Sequence, residues 1–286
     1  MTRGGGLERA ADLERHLLAG MPAGGYPIHP LTGSDRVAWR DAMIRERVAV
    51  GFEPLTADLL TAPDNNVKLD KSNAYGLSLS PASTGGWNVC RSSSVGCRAV
   101  CLATSGKGGL ESVQDGRRWK VALLAAEPAL FVRALAMELR RAAGRRPTDS
   151  LGRRTGPLVP VRLNVLSDIA WERVAPALFD MAGLRFYDYT KRTGRVLPAN
   201  YHLTMSANER HADEDLAALA DMYGSNVAVV FDTKRGHALP ATFAGVRVVD
   251  GDVSDSRWAD ERGVIVGLRA KGSAIGDRSG FVRSVA

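Results

Sequence analysis

Three cysteines are the only thiols in the 286-residue chain, and all fall within one short stretch, Cys90, Cys97 and Cys101. The spacing, C-x6-C-x3-C, follows an apolar run at Tyr75–Ser80 and is interleaved with serine and glycine. Thiolates are soft ligands that suit zinc, copper or iron–sulfur clusters. A structural zinc takes four protein ligands, often from paired C-x2-C knuckles; this stretch has three thiols and no knuckle. A zinc reading therefore needs a histidine, and His202 and His237, near expected strand ends, are the candidates. A [4Fe–4S] cluster held by three cysteines leaves one iron open to bind and activate a small molecule. Gly85, Gly86 and Gly96 would let the backbone fold closely around it.

Further polar residues recur after successive apolar runs. Asn164, Ser167 and Asp168 follow the run at Val159–Val165; Asp188 and Lys191 close the run from Leu184. Ser206 and Asn208 follow Tyr201–Met205, Asp232 follows Val227–Phe231, and Lys271 follows Val264–Leu268. Ligands of parallel α/β proteins gather at the carboxyl ends of the strands. Asp168, Asp188, Lys191, Asn208 and Lys271 are therefore candidate catalytic groups, and Asn164, Ser167, Ser206 and Asp232 candidate cofactor contacts. Within Tyr187–Lys191, Asp188 and Thr190 share one strand face and Tyr187, Tyr189 and Lys191 the other. The second face either stacks on a base and holds a phosphate or is two packed tyrosines. Asp250, Asp252 and Asp255 near Asp232 could hold Mg²⁺ for phosphodiester chemistry, but Asp-Gly-Asp followed by Ser-Asp is also a good turn and helix cap, the preferred reading. Lys107-Gly-Gly lacks P-loop spacing, and no Gly-x-Ser-x-Gly elbow is present.

The elements that must position these groups are strands alternating with helices. Apolar runs at Tyr75–Ser80, Val159–Val165, Leu184–Tyr189, Tyr201–Met205, Val227–Phe231, Val246–Val249 and Val264–Leu268 alternate with helical patterns at Leu110–Ala126, Pro128–Ala143, Ile169–Ala182 and Glu209–Tyr223. That alternation predicts βαβ units and a mostly parallel sheet, here a partial or complete β/α barrel of the TIM type. Residues 1–70 read as a helical extension and linker, with helices at Leu7–Ala19 and from Ser34 or Asp35 through Val48 and no nameable chemistry. Residues 71–286 read as the barrel-like domain.

The composition, 45% hydrophobic and 24% charged, is that of a globular protein. No apolar run is long enough to span a membrane, and the N-terminus lacks the apolar core of a secretion signal. The expected location is the cytoplasm, where clustered cysteines bind metal or catalyse rather than pair. The formal net charge of +7 suits DNA or RNA, and Arg117, Arg118, Lys120, Arg133, Arg140, Arg141, Arg145, Arg146, Arg153 and Arg154 are the candidate contacts, against the alternative of a solvated surface.

The segments Cys90 with Gly96-Cys97-Arg98-Ala99-Val100-Cys101, Arg162-Leu163-Asn164-Val165-Leu166-Ser167-Asp168, Tyr187–Lys191 and Gly267-Leu268-Arg269-Ala270-Lys271-Gly272 resemble the "gene product eighty-eight" family of actinobacterial phages, from about Leu69 onward. The resemblance implies a phage protein working in the cytoplasm of an infected or prophage-carrying host, and little about mechanism. More loosely, a strand leading into a three-cysteine loop is similar to radical S-adenosylmethionine enzymes. That likeness implies a [4Fe–4S] cluster on the three cysteines, S-adenosylmethionine on the open iron, and a nucleic acid or nucleotide as substrate. Two departures stand against it. The usual spacing is C-x3-C-x2-C, and Asn164, Ser167 and Asp168 occupy the place of the usual Gly-Gly-Glu. The alternative is a zinc-binding, DNA-binding or nuclease-like phage protein.

Overall fold

The computed structural model describes residues 10–63 and 73–285. It is a mixed α/β protein whose ten strands form one mostly parallel sheet. The strands are β1 (Leu60–Thr61), β2 (Tyr75–Leu77), β3 (Val159–Arg162), β4 (Leu184–Thr190), β5 (Tyr201–Ser206), β6 (Val227–Phe231), β7 (Thr242–Phe243), β8 (Val246–Asp250), β9 (Ile265–Arg269) and β10 (Val282–Arg283). The helices are α1 (Leu13–Ala19), α2 (Ser34–Ala49), α3 (Val95–Ala99), α4 (Glu111–Ala126), α5 (Pro128–Gly144), α6 (Trp171–Val174) and α7 (Leu216–Asp221).

From β2 to β6 each strand lies parallel to its predecessor, as in a barrel. The order then breaks: β9 lies between β6 and β8. The ends of the sheet are two-residue antiparallel strands, β1 on β2 and β7 on β8. Among the described residues no pairing joins these ends, so of the partial or complete barrel expected, the complete one is not seen. Hydrophobic periodicity reports which segments are strands but not the order in which they pair. Short antiparallel edge strands also leave little backbone to extend the sheet further.

All seven expected strands are present. They hold where β-branched and aromatic residues concentrate, as in Val227–Phe231. The long helices at 110–126 and 128–143 also stand, the second opened by Pro128 at a position that tolerates proline. The helix expected over Ile169–Ala182 does not form. It is reduced to α6 and a 3₁₀ turn at Pro176–Asp180, because Pro176 offers no N–H and pushes Ala175 out of helical geometry. The pattern over Glu209–Tyr223 keeps only α7 after a 3₁₀ turn at Asp213–Asp215. The first expected helix runs from Leu13 to Ala19; its proposed start, residues 7–9, lies outside the described residues.

One face of the sheet carries the main core. Leu184 and Phe186 of β4 point to it, with Phe179 tilted against Phe186 at 4.6 Å and stacked on Tyr201 at 4.8 Å. Leu13 and Leu17 of α1, Met43 of α2, Trp119 and Leu123 of α4 and Phe131 of α5 fill the same core. A second core sits under α7, against Met205, Val229, Phe231 and Ile265. On the other face Tyr187 meets Trp258 edge-on at 4.9 Å, so the segment around residues 254–260 covers the sheet there.

Candidate functional site

The cysteine loop leaves the carboxyl end of β2 and is tied to its neighbour at once. The Asp168 N–H donates to Val89 O at 2.9 Å, and the Cys90 thiol donates to Leu166 O at 3.4 Å. The chain then enters α3, five residues long. Ser94 caps it by accepting from Cys97 N at 3.1 Å. Glu209, from the loop after β5, accepts from the Ser94 hydroxyl at 2.6 Å and from Gly96 N at 2.8 Å. A Cβ at position 96 would lie 2.6 Å from Ser279 Oγ and 2.7 Å from Glu209 Oε2, so a larger residue would have to displace these two side chains. Gly86, at φ +85°, makes the left-handed turn before the cysteines.

The three thiols are half-buried and share one neighbouring cation. Lys191, directly after β4, hydrogen-bonds Cys97 and lies within electrostatic reach of Cys90 and Cys101. Burial pushes the Cys90 thiol up to about 12 and raises Cys101 as well, so neither is a ready nucleophile. Burial alone would lower Lys191, but Cys97, Asp168 and Cys90 outweigh it and hold the ammonium charged. Arg117, on α4, adds a second positive charge near Cys101 while donating to Ala103 O at 2.6 Å.

Lys191 is itself held from below. Asp168 accepts from Lys191 N at 2.9 Å and from Thr190 Oγ1 at 2.8 Å. Arg195 stands 3.5 Å from Asp168 and forks onto Glu172 at 2.9 and 2.6 Å. Asn164 donates its N–H to Asp188 Oδ1 at 2.8 Å, and its side-chain oxygen accepts from Ser167 Oγ at 2.8 Å and Ile169 N at 2.9 Å. Asp188 is fully buried and also accepts from Tyr201 OH at 2.9 Å. Burial raises it to about 7, opposed by Arg162. Asn164, Ser167 and Asp188 thus bond to one another and shape the turn that carries Asp168.

The remaining candidates lie apart from the thiols. Ser206 ends β5, and Asn208 is buried beyond it, its side chain accepting from Arg210 N at 3.0 Å. Asp232 accepts from Ser284 Oγ at 2.7 Å and Val285 N at 3.1 Å, tying down the chain after β10. Lys271 pairs with Asp252. Asp250 and Asp252 face Arg269, at 2.8 and 3.2 Å, while Asp255 turns to Arg162 and Tyr187, each at 3.1 Å. The three acids therefore form no common site, in keeping with a turn. Tyr187 and Tyr189 are packed under Asp255 and Arg162, not presented to a base.

His202 bonds to Ser225 at 2.9 Å and pairs in register with Tyr187, four residues before Lys191 on the neighbouring strand. At about 3.3 Å per residue that is on the order of 13 Å back along the strands from Lys191, and the ring is engaged there by Ser225. Among the described residues no group of three His, Cys, Asp or Glu side chains stands in ligating geometry. Of the basic residues, Lys120 and Arg133 are buried, while Arg140, Arg146 and Arg154 donate to backbone carbonyls and line one common cleft.

Sequence patterning missed three contributors: Glu209, which caps α3; the Arg195–Glu172 pair; and Glu14 of α1, which accepts from Ala170 N at 3.0 Å and from Arg192. Glu209 stands in the polar run after β5, which was its only local signal. Glu14 had none.

The class is thus an α/β protein with an open, mostly parallel sheet and a three-cysteine loop at the carboxyl end of its first parallel strand. The chain matches the gene product 88 family over residues 53–285 and belongs to that family of phage proteins. No curated protein and no solved structure matches it. Among the described residues no helix is long and apolar enough to cross a membrane.

Proposed function

We propose that Cys90, Cys97 and Cys101 hold an iron–sulfur cluster with one iron left open to a small molecule. The observation that carries the reading is the gathering of all three thiols of the chain around Lys191 at the carboxyl end of the sheet. The donor set is soft, as such a cluster requires. A bound metal supplies the positive charge that buried thiols need in order to ionise. The thiols are gathered but not in ligating geometry, so loading requires Cys90 to turn from Leu166 O and α3 to adjust. When bound, the cluster would supply an open coordination position and electrons. Around it, Lys191 and Arg117 balance thiolate charge, Asp168 fixes the backbone of Lys191, and Glu209 fixes the helix bearing Cys97.

The departures from radical S-adenosylmethionine enzymes are the C-x6-C-x3-C spacing, the open sheet, and the use of Asn164 and Ser167 to hold a turn. The cluster itself is therefore the proposal, and the cofactor it works on is an outcome of the test. Protein purified without oxygen and reconstituted with iron and sulfide should be brown, absorbing broadly near about 400 nm, with about four irons per chain. Cys97→Ala should load none. A colourless wild-type protein carrying zinc alone refutes the reading. In a loaded protein, S-adenosylmethionine and dithionite yielding 5′-deoxyadenosine would assign the cofactor.

A further inference from the structure

We propose that the cleft at the carboxyl ends of β6, β8 and β9 binds a phosphorylated small molecule of nucleotide size. The cleft encloses about 810 Å³, within the ~300–1,000 Å³ of small-molecule sites. Its walls come from three loops: Arg235 and His237 after β6, Asp252 and Ser254 after β8, and Arg269 and Lys271 at the end of β9.

Its place in the sheet is the first argument. From β2 to β6 the strands follow in order; then β9 returns between β6 and β8. The chain leaving β6 passes over to β8 and comes back to β9, so the loops after all three strands meet at their carboxyl ends, the end where open parallel sheets bind ligands. The floor is closed by a residue without a side chain. A Cβ on Gly251 would lie 2.5 Å from Val266 Cγ1 and 2.9 Å from Leu268 Cδ2.

Charge selects the ligand class. Both oxygens of Asp252 are engaged: Oδ2 by the Arg269 N–H at 3.1 Å and its guanidinium at 3.2 Å, Oδ1 by the Lys271 ammonium. Asp255 is committed to Arg162 and Tyr187. These acids therefore fix cations on the wall and leave no oxygen pair for a metal. Arg235 has no bonding partner among the described residues, and its guanidinium fork suits a phosphate. Phosphate oxygens would meet Arg235 and Lys271, and the body of the ligand would lie toward Gly251 and Ser254. Lys271 leads into Gly272, which packs against Ser105 at the end of the cysteine loop. The cleft thus borders the segment that follows Cys101, and nothing in its walls requires a metal.

The test is calorimetric titration of the full chain with ADP and with inorganic pyrophosphate. ADP should bind saturably at one site per chain and more tightly than pyrophosphate. Arg235→Ala should weaken ADP by about tenfold or more, the scale of one charge-assisted hydrogen bond. Its melting temperature should not move, since Arg235 has no bonding partner among the described residues. Arg40→Ala, an exposed change on α2, should leave binding unchanged. Cys97→Ala should also keep ADP binding, which separates this site from metal loading. The proposal is overturned if neither probe binds saturably at millimolar concentration, if Arg235→Ala binds like wild type, or if Arg40→Ala weakens binding equally. Pyrophosphate binding as tightly as ADP overturns the nucleotide-size part, and loss of binding in Cys97→Ala overturns the separateness.

Discussion

Removing Arg195 should destabilise the protein more than removing Glu172, and removing both should cost less than either alone. The two side chains are 2% and 3% exposed, with two parallel contacts at 2.9 and 2.6 Å. Breaking such a buried pair from one side costs about 3–5 kcal/mol, because the surviving charge stays buried without its partner. The asymmetry follows from the neighbours. In Glu172→Met, Arg195 keeps Asp168 at 3.5 Å and Tyr201 OH at 3.2 Å, which places this variant near the lower end. In Arg195→Met, Glu172 keeps no cation, and Asp168 loses one as well, which places that variant near the upper end. The double variant buries two apolar side chains of similar length and should lose about 2 kcal/mol or less. The coupling energy is then on the order of 3 kcal/mol or more, far outside the ~0.5 kcal/mol scatter of independent sites. Urea unfolding followed by circular dichroism measures all four proteins, provided the slope stays constant. Additive losses, or Glu172→Met falling below Arg195→Met, would refute the reasoning.

Three further outcomes follow from other parts of the site. Gly96→Ala should lose about 1–2 kcal/mol despite alanine's better helix propensity, because its Cβ displaces the Glu209 carboxylate from Gly96 N; equal or greater thermal stability would contradict the contact. His202 is held down to about 4 by burial and by Arg257, Arg262 and Arg185. The unfolded chain therefore takes up a proton that the folded chain refuses, and stability falls as pH drops from about 6.5 towards 4, by roughly 1–3 kcal/mol. His202→Gln should flatten that window in unfolding measured at pH 4.5, 5.5 and 7, and an unchanged pH profile would count against it. Asp232→Ala should cost about 0.5–1.5 kcal/mol and speed amide exchange at Val285, since it releases the end of the chain; if exchange there is unaltered, the tie is not formed.

What was legible in the sequence was whatever local pattern dictates. The runs Leu184–Tyr189 and Val227–Phe231 are strands because their residues favour a pleated, buried surface. The helices at 110–126 and 128–143 present apolar faces at helical spacing, broken only at the Glu127–Pro128 step. What stayed hidden depends on distant partners. The stretch after Gly51 has no periodicity, yet Leu59 and Leu60 donate to Glu138, 79 and 78 residues away, and that brace sets β1 on the sheet edge. Residues 1–70 were expected to carry no nameable chemistry, but Glu14 reaches across 178 residues to Arg192 beside Lys191. The polar residues after each strand were read as one set around one mouth. The structure divides them: Asp168 and Lys191 serve the thiols, Asn164 and Asp188 hold each other, Asp232 anchors the last strand, and Lys271 belongs to the separate cleft.

The position of the cysteine helix traces to β6. Its first residues, Val227 and Ala228, pair with the last residues of β5, Met205 and Ser206, but Val230 and Phe231 pair with β10. β6 therefore runs on past the end of β5, and the last strand pairs with that overhang. Arg283 of that strand donates to Asn208 O at 3.1 Å and His211 O at 2.6 Å, fixing the loop after β5. That loop carries Glu209, which grips the start of α3, while Ser279 closes against Gly96 from the C-terminal side. Had β5 extended as far as β6, it would occupy the edge that β10 takes. The overhang of β6, the C-terminal strand that pairs with it and the glycine that admits both contacts act together to place Cys97 near Lys191. The cysteine stretch, though local in sequence, thus takes its geometry from nearly two hundred residues further along the chain.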